Sequence, residues 1–137
     1  RHFHMDADAL ENLIYKQSGW LGVSDISSDM LALHQANKKE AEEAIDMFCY
    51  RAALEIGRLS AALEGLDQVI FTGGVGENDA DVRTRILNRC SWLGVEIDQT
   101  HNDQGNGTIS AETSNVTVQV IPTNEEAMIA LHVLELT

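Results

Sequence analysis

Phe71-Thr72-Gly73-Gly74-Val75-Gly76-Glu77-Asn78 is the stretch whose reading decides the fold. Just ahead of it, Val69, Ile70 and Phe71 are apolar in succession rather than in alternation, which predicts a strand buried on both faces of a parallel or mixed sheet. The chain then crosses Gly73, Gly74 and Gly76 and restarts as a helix, with Asn78 as its expected cap. Glycine lacks a Cβ and tolerates positive φ, so backbone N–H groups can approach an incoming group, and a following helix dipole favours negative charge. Ligands of open α/β sheets gather outside the carboxyl ends of strands, so position and chemistry agree. A purely structural turn explains these residues equally well.

On the C-terminal side, Val82, Ile86, Leu87 and Cys90 form the buried stripe of the next helix, which ends before Gly94. Leu93, Val95 and Ile97 alternate, as do Val116, Val118 and Val120, and each set predicts a strand with one face inward. Between them, Gln99 to Asn115 is a polar excursion in which Asn106-Gly107 favours a tight turn of a small hairpin. Pro122 closes the second strand. Thr123 and Glu126 have the spacing of a capping box, and Ala127, Ile129, Ala130, Val133 and Leu134 supply a final helix.

On the N-terminal side, Ala44, Ile45, Phe48, Ala52, Ile56, Leu59 and Leu63 hold one face of a long helix, with Asn37 and Glu40 as a capping pair and Gly65 at its end. The segment from Ser18 to Met30, rich in glycine and serine, is a loop that either connects elements or faces a ligand. From Asp8 to Gln17, Leu10, Leu13 and Ile14 recur at helical spacing, with Asp8 and Glu11 as cap and partner. His2 and His4 alternate on a short arm that a frayed terminus explains better than a metal pair. The order helix, strand, helix, strand, helix is that of an α/β fold.

At 137 residues the chain has the size of one domain or part of one, and 44% hydrophobic residues with a single proline exclude disorder. No apolar run approaches the ~18 residues of a membrane span. A formal charge of −13 argues against nucleic acid or an anionic membrane as partner. Any phosphate bound here needs backbone dipoles, a divalent cation or basic residues from elsewhere. Cys49 and Cys90 sit on apolar helix stripes without metal-ligand spacing and are expected as buried thiols in a reducing, cytoplasmic setting. The sequon triplets at Asn106 and Asn115 are read as chance matches. The absence of an opening methionine or strand suggests a piece cut from something longer.

The glycine segment is not a Walker A loop, because no Gly-Lys-Ser/Thr follows, and not a dinucleotide fingerprint, because Asp79 stands where the third glycine belongs. The residues Phe71 to Asn78, with Val82-Arg83, Leu93 to Asp98 and Ile121-Pro122-Thr123-Asn124-Glu125-Glu126, resemble the C-terminal part of acetate and propionate kinases. Ser18-Gly19 through Ser27-Ser28-Asp29-Met30 is similar to that family's loop ahead of its long helix.

The resemblance implies a duplicated actin-like, sugar-kinase-like (ribonuclease H-like) fold, with a mixed sheet flanked by helices. Residues 1–137 would form part of the C-terminal nucleotide-binding domain, with the N-terminal domain absent. It also implies transfer of the γ-phosphoryl of ATP to acetate or propionate, giving ADP and an acyl phosphate, with Mg2+ bridging phosphates. Carried over by motif, Gly74, Val75, Gly76, Glu77 and Asn78 line the adenosine and phosphate site, and Val82 walls the adenine pocket. Asp29, Met30 and Leu31 form the other nucleotide-contacting segment, and Glu125 is the magnesium carboxylate. Leu31 stands where the family normally has arginine, and Asp25 where it normally has glycine. No catalytic residue is placed in this chain, which is expected to be inactive by itself. The family's habit implies a homodimer for the full-length enzyme. A non-catalytic nucleotide-binding module of the same descent is the alternative.

Overall fold

Val116, Val118 and Val120 alternate with polar residues, and that alternation builds the sheet. In the computed structural model, which describes residues 5–135, all three valines are buried, and the strand carrying two of them, β3 (Thr117–Val120), is central. It pairs in parallel with β1 (Gln68–Phe71), Val69 opposite Val118 and Phe71 opposite Val120, and antiparallel with β2 (Gly107–Thr108). The sheet is therefore mixed, in the order β1-β3-β2. Helices flank it in sequence, which makes the fold α/β.

Two units divide the described chain, at residues 54 and 55. The first contains α1 (Ala7–Lys16), α2 (Trp20–Ser24), α3 (Met30–Ala36) and the first part of α4 (Lys39–Ala62). Met30, Leu33, Ala41, Ala44, Ile45 and Cys49 are buried, and Trp20 meets Phe48 edge-on at 5.1 Å. The second contains the end of α4, the sheet, α5 (Gly73–Asn78), α6 (Ala80–Arg89), a 3-10 turn at Ser91–Leu93, α7 (Gln99–Gln104) and α8 (Glu125–Glu135). Its core is Val82, Ile86, Leu87, Cys90, Val95, Ile109 and the three valines. Cys49 and Cys90 are buried thiols outside any disulfide, as expected. Among the described residues no helix is long and apolar enough to cross a membrane. His2 and His4 lie outside the described residues.

Several expectations are corrected. The run Val69-Ile70-Phe71 is a strand but is not buried on both faces: Ile70 is 51% exposed, while Val69 and Phe71, which alternate with it, are half-buried on the other face. Leu93 to Ile97 is no strand. Gly94 turns left-handed after the 3-10 turn, and Ile97 makes only an isolated bridge to Ser110. The polar excursion holds a helix, α7, between the N-cap Asp98 and the left-handed Gly105, and Gly107 belongs to β2 instead of a hairpin turn. The loop from Ser18 to Met30 contains α2.

Caps shift as well, because the side-chain oxygen that reaches a free N–H is not always the one the spacing suggests. Asp6 caps α1, not Asp8, accepting from Ala9 N at 2.8 Å. Asn37 is left-handed and ends α3 instead of starting α4. The long helix forms as expected, yet Leu59 and Leu63 on its stripe are exposed, as are Leu10, Leu13 and Ile14 of α1 and Ile129, Val133 and Leu134 of α8.

Val118→Ala should lower the unfolding free energy by about 2 kcal/mol, from two lost methyl groups and the cavity they leave. Ile70→Ala should cost less than about 1 kcal/mol. Urea titration of both variants checks this, and equal losses would contradict the central place of β3.

Candidate functional site

The glycine segment is a helix, α5, and not an open loop. Gly73 enters it at φ +72 after the extended Thr72, and Asp79 N bonds Val75 O at 3.0 Å as it ends. Six residues, three of them glycine, do not make a helix by propensity; each interior glycine disfavours it by about 1 kcal/mol relative to alanine. Side chains impose the conformation instead. At the N-terminal end, Gly73 N donates to Glu77 Oε1 at 2.8 Å. Along the helix, Asn78 Nδ2 donates to Gly74 O at 2.8 Å. At the C-terminal end, Arg83 Nη1 donates to Gly76 O and Glu77 O, each at 2.9 Å. Asn78 therefore belongs to α5, and Asp79 caps α6, accepting from Val82 N at 2.9 Å.

Two of the glycines have a reason within the chain, and one does not. Gly73 needs its left-handed φ, and a Cβ on Gly76 would lie 3.4 Å from the backbone carbon of Phe71. Gly74 has no left-handed φ, and a Cβ there would meet nothing within 4 Å. Open space over an exposed glycine is what a closely approaching ligand requires.

Arg83 was part of a sequence motif with no role attached, and it proves to be the pivot of the site. Its side chain is 1% exposed. Besides its bonds to α5, Nε donates to Asn102 Oδ1 at 2.8 Å and Nη2 to Asn102 O at 2.6 Å. Asn102, fully buried on α7, donates from Nδ2 to Ala80 O at 2.9 Å and Thr84 Oγ1 at 3.0 Å. Burial pulls the guanidinium below its ordinary value, against the opposing fields of Asp79 and Asp103. Missing α7 in the sequence hid this network. The Asp98 and Gly105 that bracket α7 were the available signal.

Glu77 ties α5 to the start of α8. Its Oε1 also accepts from Thr123 N at 2.8 Å and Thr123 Oγ1 at 3.0 Å. The expected capping box of Thr123 and Glu126 is thereby replaced: Asn124 caps α8, accepting from Ala127 N at 2.9 Å. The Thr123 amide first, and then the Gly73 amide, hold the Glu77 carboxyl below its ordinary value; burial opposes them, and the Thr123 and Thr72 hydroxyls add to them. Its carboxylate is thus engaged within the chain. Glu125 opens α8 two residues beyond Thr123, and its side chain lies outside the described residues.

Of the remaining expected positions, Val82 is buried in the stripe of α6. Asp29, Met30 and Leu31 belong to the first unit. Asp29 caps α3, accepting from Ala32 N at 2.8 Å, Met30 is buried, and Leu31 is 65% exposed. Asp25 has φ 54, so the position where the resembling family carries glycine does demand left-handed backbone, which aspartate tolerates better than most residues.

Comparison with known proteins follows the same lines. The sequence profile described as "Acetokinase family" matches residues 1–131. The acetate kinase of Rickettsia akari (strain Hartford) is 48% identical over 134 residues, which are 98% of this chain and 35% of that protein. The crystal structure of Porphyromonas gingivalis acetate kinase matches with a TM-score of 0.87 at 37% identity, over 96% of this chain and 34% of that one. The crystal structure of a propionate kinase from Francisella tularensis subsp. tularensis SCHU S4 matches at 0.84 and 34% identity, over 92% of this chain and 33% of that one. The chain spans about a third of the length of the curated relatives it matches.

The clasp at Glu77 has a pH signature. A carboxylate whose folded pKa is depressed adds stability that is complete above the ordinary glutamate range and is lost as pH falls through the depressed value. Glu77→Gln should therefore melt below the wild type at neutral pH, with the gap closing below pH ~4. Paired thermal melts read the gap, and a pH-independent one would show that geometry alone holds the contact.

Proposed function

The chain belongs to the acetokinase family, and from that premise we propose that it is part of the C-terminal nucleotide-binding domain of an ATP:acetate phosphotransferase. The observation that carries the reading is Gly74, a glycine without a structural reason in the chain, set in a segment braced at both ends. Phosphoryl transfer rests on positioning and charge neutralisation more than on covalent chemistry by the protein, so rigid backbone close to the nucleotide is useful in itself.

In this proposal Gly74, Val75, Gly76, Glu77 and Asn78 form one wall of the adenosine and phosphate site. Glu77 acts by holding Gly73 and Thr123, its carboxylate being engaged there. Val82 backs the wall from the buried stripe of α6. Asp29, Met30 and Leu31 supply the second nucleotide segment; exposed Leu31 offers an apolar surface where arginine would offer a planar cation, which alters nucleotide affinity or base preference. Glu125 suits magnesium by its hard oxygen donors, and the ion, when bound, neutralises phosphate charge. The residues around the transferred phosphoryl belong to the rest of the protein. By itself the chain is inactive. Buried thiols at Cys49 and Cys90 suit a reducing, cytoplasmic setting, and the intact enzyme is a homodimer.

Propionate is the second candidate acceptor, favoured by the structural match to a propionate kinase. The ratio of kcat/KM for acetate and propionate, measured on the intact protein by coupled ADP formation, chooses between them. Tight Mg·ATP binding with no acyl phosphate formed would favour a non-catalytic module instead. Gly74→Ala should keep or raise stability, by up to about 1 kcal/mol, because alanine suits a helix interior. It should also raise the KM for ATP about tenfold or more. An unchanged KM would remove Gly74 from the site. Glu125→Ala should weaken magnesium dependence, and an unaltered rate and magnesium profile would remove Glu125.

A further inference from the structure

We propose that Arg83 and Asn102 are positioning residues for the nucleotide, acting through the carbonyl end of α5 without touching the ligand. The inference rests on the kinase reading and deepens it. Arg83 is almost wholly buried, so it does not reach a ligand; its bonds end on Gly76 O, Glu77 O and both oxygens of Asn102. Through these bonds α7, which bears no residue of the proposed site, sets where α5 ends. The three glycines of α5 leave it without intrinsic stiffness, so its orientation is whatever its bonded neighbours impose. At the other end, Glu77 fixes Gly73. The open face at Gly74 lies between the two anchors and follows both.

The network is also closed to substitution by a simpler cation. Lysine carries the charge but lacks the planar fork that serves α5 and α7 together. Asn102 in turn is held by Ala80 O and Thr84 Oγ1, so its own rotamer is set from α6.

The test uses the intact protein with Arg83→Lys, Asn102→Leu, the milder Thr84→Val, and Val118→Ala as a control that loosens the core away from these bonds. KM for ATP, KM for the carboxylate, kcat, and Mg·ADP affinity by calorimetry are measured beside melting temperature. Arg83→Lys and Asn102→Leu should raise the KM for ATP and weaken Mg·ADP about tenfold, with Thr84→Val in the same direction and smaller, and with the carboxylate KM within about twofold of wild type. Val118→Ala should lower the melting temperature and move neither constant. Normal nucleotide affinity in Arg83→Lys and Asn102→Leu, or an equal loss in Val118→Ala, overturns the proposal. If the first two variants fail to fold, Thr84→Val decides by the same criterion. A wild type that binds no nucleotide overturns the kinase reading and this inference with it; a wild type that binds, beside unaltered variants, overturns this inference alone.

Discussion

A guanidinium buried among neutral acceptors is the constraint on which the second unit depends. Removing Arg83 from water costs several kcal/mol, offset only if its donors find well-placed partners. Here four bonds do so, and each partner is backbone carbonyl or carboxamide oxygen rather than carboxylate. Arginine stays charged despite the downward pull of burial, because its ordinary value is so high. Three helices are thereby held to one point: α5 by its last carbonyls, α7 by Asn102, and α6 by bearing the arginine itself. No buried side-chain nitrogen or oxygen among the described residues lacks a partner, so the network is complete.

Parallel pairing of β1 and β3 creates the second joint. Parallel strands finish at the same edge, so the chain leaving Phe71 and the chain leaving Val120 emerge side by side. Ile121 N bonds Phe71 O at 2.9 Å, and two residues on, Thr123 meets Glu77. The proposed phosphate-facing helix and the start of α8 are neighbours for this reason, although their own sequence segments share no pattern. Sheet topology supplies the proximity, and a single carboxylate locks it.

Much of this was legible in the residues. The alternating valines marked the central strand, the glycines marked the site-bearing segment, and Pro122 marked the end of β3. What escaped depended partly on partners distant in sequence and partly on local backbone geometry. Ile70 reads as core by composition, but its burial is decided by what packs over its face of the sheet. Leu93, Val95 and Ile97 alternate, but a left-handed Gly94 breaks the extension that alternation implies. Caps were misplaced by one or two residues because Asp, Asn and Thr compete for the same free N–H groups, and reach, not type, decides among them. Arg83 was visible as a letter in a motif. Two of its acceptors were not, since Asn102 lies on a helix that polar composition concealed.

The bond between Glu77 and Thr123 spans 46 positions of sequence, and this bears on the order in which the molecule is made. Local contacts close early, whereas long loops must first meet their entropic cost. During synthesis Glu77 can bond Gly73 at once, four residues away, but it cannot acquire its second anchor until Thr123 has left the ribosome and β3 has docked on β1. The tie between the glycine segment and α8 is thus a late feature of folding, although the segment's own bonds are local.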